Sequence, residues 1–223
     1  MTEVVRPVNR SYRSRGDRAT GAQSAAYEKL WPVYGLPPQG LIDPIAIFPN
    51  STSRIIEIGS GMGEATAQIA AHFPDTGFLV VEVHKPGLGS LMNLCDKAGT
   101  TNVKVIEEDV HLVLRDSIPD QTLDAIHLYF PDPWPKNGHH KRRIVQSEFL
   151  ELIHPKIKDG GYIHIATDWF PYAQWIQRIF GASELFSGGV IERPEWRPIS
   201  KFEGQGLRKG HIVTDMKYFK KQF

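Results

Sequence analysis

Cysteine is almost absent from this chain. Cys95 stands alone, which excludes an intrachain disulfide and a CxxC metal site, and we read it as a core residue. No apolar run approaches the ~18 residues a membrane helix requires, and the Met-Thr-Glu-Val start lacks the basic, then greasy layout of a secretory signal. The expectation is a cytoplasmic protein with no membrane partner. Net charge is also scarce, at +1 over 223 residues, so any affinity for nucleic acid must come from how charge is distributed. There is no internal repeat and no long low-complexity segment.

What is present is enough to build one core, since 41% of the residues are hydrophobic and 23% charged. The charges are unevenly placed. Arg6, Arg10, Arg13, Arg15 and Arg18 crowd the first 20 residues against Glu3 and Asp17, and residues 136–143 hold four fixed positive charges with no acid. Both stretches are candidate phosphate contacts. Residues 1–20 have too few apolar anchors to offset their ordering entropy, so they read as a mobile basic arm preceding a single domain over residues 21–223.

From there strand and helix patterns alternate. Arg54 to Ile58, Phe78 to Val83, Val103 to Ile106, Leu123 to Phe130 and Tyr162 to Ala166 read as strands. Glu64 to His72, Leu88 to Ala98, Arg143 to Ile153 and Tyr172 to Phe180 read as helices. Alternation of this kind predicts an α/β fold, a mostly parallel sheet with helices on both faces, because parallel crossovers are usually helical. The last 40 residues, with Gly188-Gly189 and several prolines and glycines from Pro194 to Gly206, read as loop followed by an antiparallel closing strand near Ile212 to Phe219.

The strand Ile55 to Ile58 runs into Gly59-Ser60-Gly61-Met62-Gly63 and then a helix, a turn that lets backbone approach a ligand. The spacing is GxGxG, unlike the GxGxxG of dinucleotide sites. Glu57 lies at the end of this strand, Glu82 at the end of the next, where a carboxylate accepts ribose hydroxyls, and Asp109 follows the third, where an adenine would lie. Three acids at successive strand ends favour a cofactor bearing positive charge, such as the sulfonium of S-adenosylmethionine, and would repel a pyrophosphate. Any one of them alone reads equally well as a solvated or capping acid.

After the fourth strand comes Phe130-Pro131-Asp132-Pro133-Trp134-Pro135-Lys136. Three prolines stiffen the backbone, which suits holding Asp132 and Trp134 beside a reacting methyl group; the plain alternative is a strand terminator with Trp134 filling a core gap.

Glu57 to Gly63 resembles the first motif of class I methyltransferases, and Glu82-Val83-His84-Lys85-Pro86-Gly87 resembles the second-strand motif of the tRNA (guanine-N7)-methyltransferases. FPDPWPKNGHHKRR, residues 130–143, is similar to that family's signature. Further likeness lies in Ala166-Thr167-Asp168, in Arg197-Pro198-Ile199-Ser200-Lys201-Phe202-Glu203 with Gly206 and Gly210-His211, and in the arm from Arg10-Ser11-Tyr12-Arg13 to Gln23. The resemblance thus covers nearly the whole chain. One departure is Ser200, where the family usually has threonine.

The resemblance implies the Rossmann-like fold of class I methyltransferases, with S-adenosylmethionine as cofactor, no metal, and transfer of its methyl to N7 of a guanine in tRNA, the variable-loop guanosine. It implies cofactor contacts from Glu57, Gly59, Gly61, Gly63, Glu82, Asp109 and Asp132, with Asp132 also catalytic. Substrate contacts would come from Lys136, Asp168, Ser200, Lys201, Phe202 and Glu203. RNA contacts would come from Gly138, His139, His140, Lys141, Arg142 and Arg143, as monomer or homodimer. The basic run supports the last set independently, since cations in an acid-free loop neutralise phosphates; its plain alternative is a solvated surface. Asp168 could also cap the helix near Phe170.

Guanine N7 carries an in-plane lone pair, so attack on a sulfonium methyl needs no strong base. Carboxylates near the purine, Asp132 and Asp168, would stabilise the positive charge that moves onto it. A nicotinamide-dependent oxidoreductase would share Glu82 and the glycine turn, but the GxGxG spacing and the acids count against it.

Overall fold

The computed structural model describes residues 10–12, 19–208 and 210–222, without the side chains of 201, 202, 205 and 207. Most of the expected arm therefore lies outside the described residues.

Helix α1 (Gly21–Tyr34) opens with a capping box, in which the Thr20 hydroxyl accepts from the Gln23 amide and the Gln23 side chain accepts from the Thr20 amide; a short helix, α2 (Pro44–Ile47), comes next. The strands are β1 (Gly35–Leu36), β2 (Ser53–Ile58), β3 (Thr76–Val81), β4 (Val103–Ile106), β5 (Leu123–Tyr129), β6 (Ile157–Thr167), β7 (Phe186–Ile191) and β8 (Thr214–Lys220). They form one sheet in the order β1-β4-β3-β2-β5-β6-β8-β7. The first six in that order are mutually parallel, and β8 runs antiparallel to both β6 and β7. The fold is the expected class I methyltransferase architecture.

Strands buried on both faces need apolar side chains in both directions. Ile55, Phe78, Val80, Val103 and Val105 meet one helix layer, made by α1, α3 (Glu64–His72) and α4 (Lys85–Ala98). Ile56, Leu79, Val81, Ile106 and Ile126 meet the other, made by α5 (Val110–Asp116), α6 (Ser147–Ile153) and α7 (Phe170–Gly181). Each such side chain contributes ~1.5–3 kcal/mol when fully buried. Cys95 sits in the first layer, where burial pushes its thiol up to about 12. It is a core residue.

The C-terminal region differs from the expected loop. Gly188 and Gly189 lie within β7, and a side chain on Gly188 would fall 2.1 Å from the Lys217 carbonyl. Glycine is there for a close strand crossing, not for a turn. Helix α8 (Lys201–Arg208) also forms, despite Gly204 and Gly206, because Ser200 and Glu203 make a second capping box: the Glu203 amide donates to the Ser200 hydroxyl at 3.1 Å, and the Ser200 amide donates back to Glu203 at 3.4 Å. The helix expected from Arg143 begins only at Ser147, because Asn137–Arg142 forms a separate 3-10 turn whose carbonyls at His140 and, just beyond it, Arg143 accept from the Gln146 side chain.

Candidate functional site

Between β2 and β5 the strand order reverses, and ligands of open α/β sheets bind outside the carboxyl ends of strands at such a point. A cleft of about 490 Å³ opens there. Its wall takes Gly59 to Gly63 from the turn after β2, Glu82 to His84 from the end of β3, Asp109 from the end of β4, and Phe130 to Asp132 from the end of β5. Glu57, Gly59, Gly61, Gly63, Glu82, Asp109 and Asp132 all line it.

Gly59, Gly61 and Gly63 have φ of 77°, 58° and 79°, the left-handed region that suits glycine. Gly87 matters for packing: a side chain there would lie 2.1 Å from the Gly61 carbonyl. The first turn of α4 thus presses directly on the glycine turn.

Each acid is held differently. Glu57 is 3% exposed; one oxygen accepts from the Thr66 hydroxyl at 2.9 Å. Its other oxygen, and the hydroxyl of Ser60, are buried with no hydrogen-bond partner among the described residues. Burial pushes the Glu57 carboxyl up to about 7, against the Thr66 hydroxyl and with help from Glu82. Glu82 accepts from the Gly61 amide at 3.0 Å and from the His84 amide at 2.8 Å, tying the two turns together. An ionised carboxylate has about four acceptor positions, so both oxygens keep capacity for a ligand's hydroxyls. Asp109 caps α5 by accepting from the His111 amide at 2.9 Å, with the His111 ring 3.1 Å away. Burial pushes its carboxyl up, but the His111 donors and Arg10 outweigh this and hold it below its ordinary value.

Asp132 sits between two residues in left-handed backbone, Phe130 at φ 51° and Trp134 at φ 43°. Non-glycine residues in that region cost on the order of 1–3 kcal/mol and persist only where their surroundings impose them. Here the Phe130 amide donates to the Ala166 carbonyl at 2.8 Å, and the Arg143 Nε donates to the Pro133 carbonyl at 2.9 Å. Trp134 does not line the cleft. It is buried, its indole nitrogen donating to the Ser11 carbonyl at 3.0 Å and its ring under Arg142. Ser11 brings Arg10 and Tyr12 into the cleft wall, a contribution the sequence did not signal.

The expected substrate residues whose side chains are described have different settings. Ser200 lines the cleft, and its hydroxyl accepts at the helix cap, a task serine performs as threonine would. Glu203 is buried in a two-pronged pair with Arg197, at 2.7 and 3.1 Å. Lys201 and Phe202 have side chains outside the described residues. Lys136 is exposed and away from the cleft lining. Asp168 neither lines the cleft nor caps α7, whose N-cap is Trp169; its carboxylate lies 3.1 Å from the His211 ring nitrogen.

A buried polar chain underlies the cleft floor. The Tyr129 hydroxyl lies 3.0 Å from His164 Nδ1, His164 Nε2 lies 2.8 Å from Asp215 Oδ1, and Asp215 accepts twice from Arg197, which reaches on to Glu203. Arg197 and Tyr129 both line the cleft. The chain links the cleft floor to β8 and α8.

Among the expected RNA contacts, Gly138, Lys141 and Arg142 are exposed and His139 and His140 partly so, all on the 3-10 turn or its edge. Arg143 is not. It is 3% exposed, holds Pro133, and lies 5.0 Å from the rings of Tyr172 and Trp175. It is a clamp on the Asp132 loop.

A family model described as putative methyltransferase matches residues 51–216. A tRNA (guanine-N(7)-)-methyltransferase of Nitrosospira multiformis is 46% identical over 221 residues, covering 97% of this chain and 96% of that protein. One of Streptomyces avermitilis is 46% identical over 213 residues, covering 93% and 73%. Among solved structures, the 16S rRNA methyltransferase KamB superposes with a TM-score of 0.58 at 12% identity, covering 82% of this chain and 96% of its own. That likeness concerns the fold alone.

Proposed function

The chain belongs to the tRNA (guanine-N7)-methyltransferase family and is an S-adenosylmethionine-dependent enzyme of that activity, and we propose that its target is the variable-loop guanosine, with Asp132 as the catalytic carboxylate. The observation that carries this reading is the Asp132 loop, set between two left-handed residues at the edge of an acid-lined cleft. The cleft's chemistry suits the cofactor. Its acids match a sulfonium and an amino group, and the unpartnered Glu57 oxygen and Ser60 hydroxyl are what a polar ligand would satisfy.

When bound, S-adenosylmethionine supplies an electrophilic methyl group. Glu57 would hold the cofactor's ammonium, Glu82 the ribose hydroxyls and Asp109 the adenine side. The Gly59, Gly61 and Gly63 backbone would lie along the cofactor without side-chain clash. Asp132, as a carboxylate, favours the positive charge that grows on the purine and accepts from N–H groups of guanine that adenine lacks. Lys136 and the exposed cations Lys141 and Arg142 would hold phosphates. Asp168, whose Oδ2 faces His211, would meet the substrate with its remaining acceptor positions. The variable-loop assignment rests on the family resemblance of residues 130–143.

The test is methylation of an unmodified tRNA transcript by the full chain, mapped by borohydride and aniline cleavage, which breaks RNA at 7-methylguanosine. Cleavage at one variable-loop position is expected. Methyl incorporation at another position would sink that assignment, and incorporation into protein but not tRNA would sink the whole reading.

A further inference from the structure

Behind the Asp132 loop lies a second cavity, of about 320 Å³, bounded by the 3-10 turn and the start of α7, within the ~300–1,000 Å³ span of small-ligand pockets. Its wall includes Trp169, Trp175, His140, Arg143, Arg178 and Gln174, and among the described residues no acid lines it. Arg178 lies over the Trp175 ring at 4.4 Å, Arg143 lies 5.0 Å from it, and the His140 ring meets it edge-on at 5.5 Å. Trp175 is fixed by donating its indole N–H to the Val145 carbonyl at 2.8 Å. Arg178 and Gln174 are exposed on one face of α7, and Trp169 is partly exposed at its start.

Aromatic faces beside guanidinium groups in an acid-free hollow are the chemistry that binds unpaired nucleotides: the base stacks, and the cation takes the phosphate. A metal ion or a cationic ligand would need carboxylates, which the wall lacks. Position narrows the ligand further. Pro135, on the cavity's rim, is three links from Asp132 in the reaction cleft, ~11 Å at most along the backbone.

We propose that this cavity is a second RNA subsite, which holds an unpaired nucleotide next to the target guanosine, its base stacked on Trp169 and its phosphate held by Arg178. The inference rests on the tRNA-methylating reading given above. It adds residues of α7 to an RNA surface that the sequence placed on residues 136–143 and the N-terminal arginines. A nucleotide anchored there would fix the neighbouring guanosine over the cleft, so the subsite serves orientation as well as affinity.

The experiment is a double-mutant cycle with an unmodified tRNA transcript. One axis is Trp169→Leu; the other is an abasic site at each nucleotide flanking the target guanosine in turn. Either change alone should weaken tRNA binding about tenfold, and combined at the right nucleotide they should weaken it little more. Arg178→Ala should lower the slope of log affinity against log salt by ~0.7, the loss of one single-strand phosphate contact. Gln174→Glu, an exposed substitution of nearly unchanged size, should weaken tRNA binding several-fold and leave cofactor affinity and Tm unchanged, so a folding defect at Trp169 does not decide the matter. Strictly additive losses would overturn the proposal. So would a lowered salt slope in Arg178→Ala without coupling to any abasic site, which leaves a phosphate contact only. If the wild-type chain fails to methylate tRNA at all, the functional reading fails instead.

Discussion

Two hollows meet at the loop from Pro131 to Arg143, and their linings are of opposite sign. The cleft is walled by Glu57, Glu64, Glu82, Glu108, Asp109 and Asp132 against Arg10 and Arg197, whereas the second cavity has His140, Arg143 and Arg178 and, among the described residues, no acid. A methyl donor carrying positive charge and a polyanionic acceptor must be brought side by side, and a lining that favours one repels the other. The fold separates the two by a few residues of stiff loop. Arg143 joins the two, since it donates to the carbonyl of Pro133, next to the cleft residue Asp132, and forms part of the second cavity's wall.

The largest effect should come from breaking the acidic side at its reacting end. Asp132→Asn is expected to lower single-turnover methyl transfer by about 10²–10³-fold, the scale for losing one electrostatic group at a transition state, with S-adenosylmethionine affinity changed only a few-fold. Transfer within a few-fold of wild type would remove Asp132 from the chemistry. Next comes the shared element. Arg143→Ala leaves the Pro133 carbonyl without this donor and a void against Tyr172 and Trp175, and it should cost on the order of 2–3 kcal/mol in urea unfolding. Unlike a surface phosphate contact, it should impair both cofactor and tRNA binding.

Glu57 sharpens the electrostatic half of the comparison through pH. Its carboxyl is raised to about 7 in the unliganded fold, so as pH climbs from the usual carboxylate range towards 7 the unfolded chain ionises first. Glu57 therefore costs the unliganded protein stability progressively over that window, and the full cost is present above it. A cationic cofactor favours the ionised form. Its affinity should rise with pH up to about 7 and then level, with proton release detectable by calorimetry in buffers of different ionisation enthalpy. Glu57→Gln should bind the cofactor more weakly and without that pH dependence; an unchanged profile would show that another group titrates. The smallest effect belongs to Lys141→Ala, an exposed change expected to reduce the salt slope of tRNA binding by somewhat under one unit and to leave stability and cofactor affinity alone.

Much of the acid-lined cleft was legible in the sequence because its residues are set by short-range pattern. A buried strand followed at once by Gly59 to Gly63 specifies both a turn and its place at a sheet edge, and acids at the end of an apolar run or within three residues past it fall at the same edge. Glu64–His72 and Val103–Ile106 matched their expected limits for the same reason. The C-terminal region was misread where local signals mislead. Gly188 and Gly189 look like turn residues until β8 is laid against them, and Ser200-Lys201-Phe202-Glu203 carried a capping signature that the surrounding prolines and glycines obscured.

The sequence by itself determined the alternating layers, the glycine turn, and which carboxylates end up at the strand ends, because periodicity and turn chemistry act within a few residues. Only the tertiary structure decided where each residue of the basic run sits. Lys141, Arg142 and Arg143 are adjacent and alike in charge, yet the first is exposed, the second lies over Trp134, and the third is buried between Pro133 and the rings of α7. Nor does any local pattern bring Arg197 between Glu203 and Asp215 or open a cavity between the 3-10 turn and α7. Such partners are distant in the chain, and burial assigns them only once the sheet and both helix layers have packed.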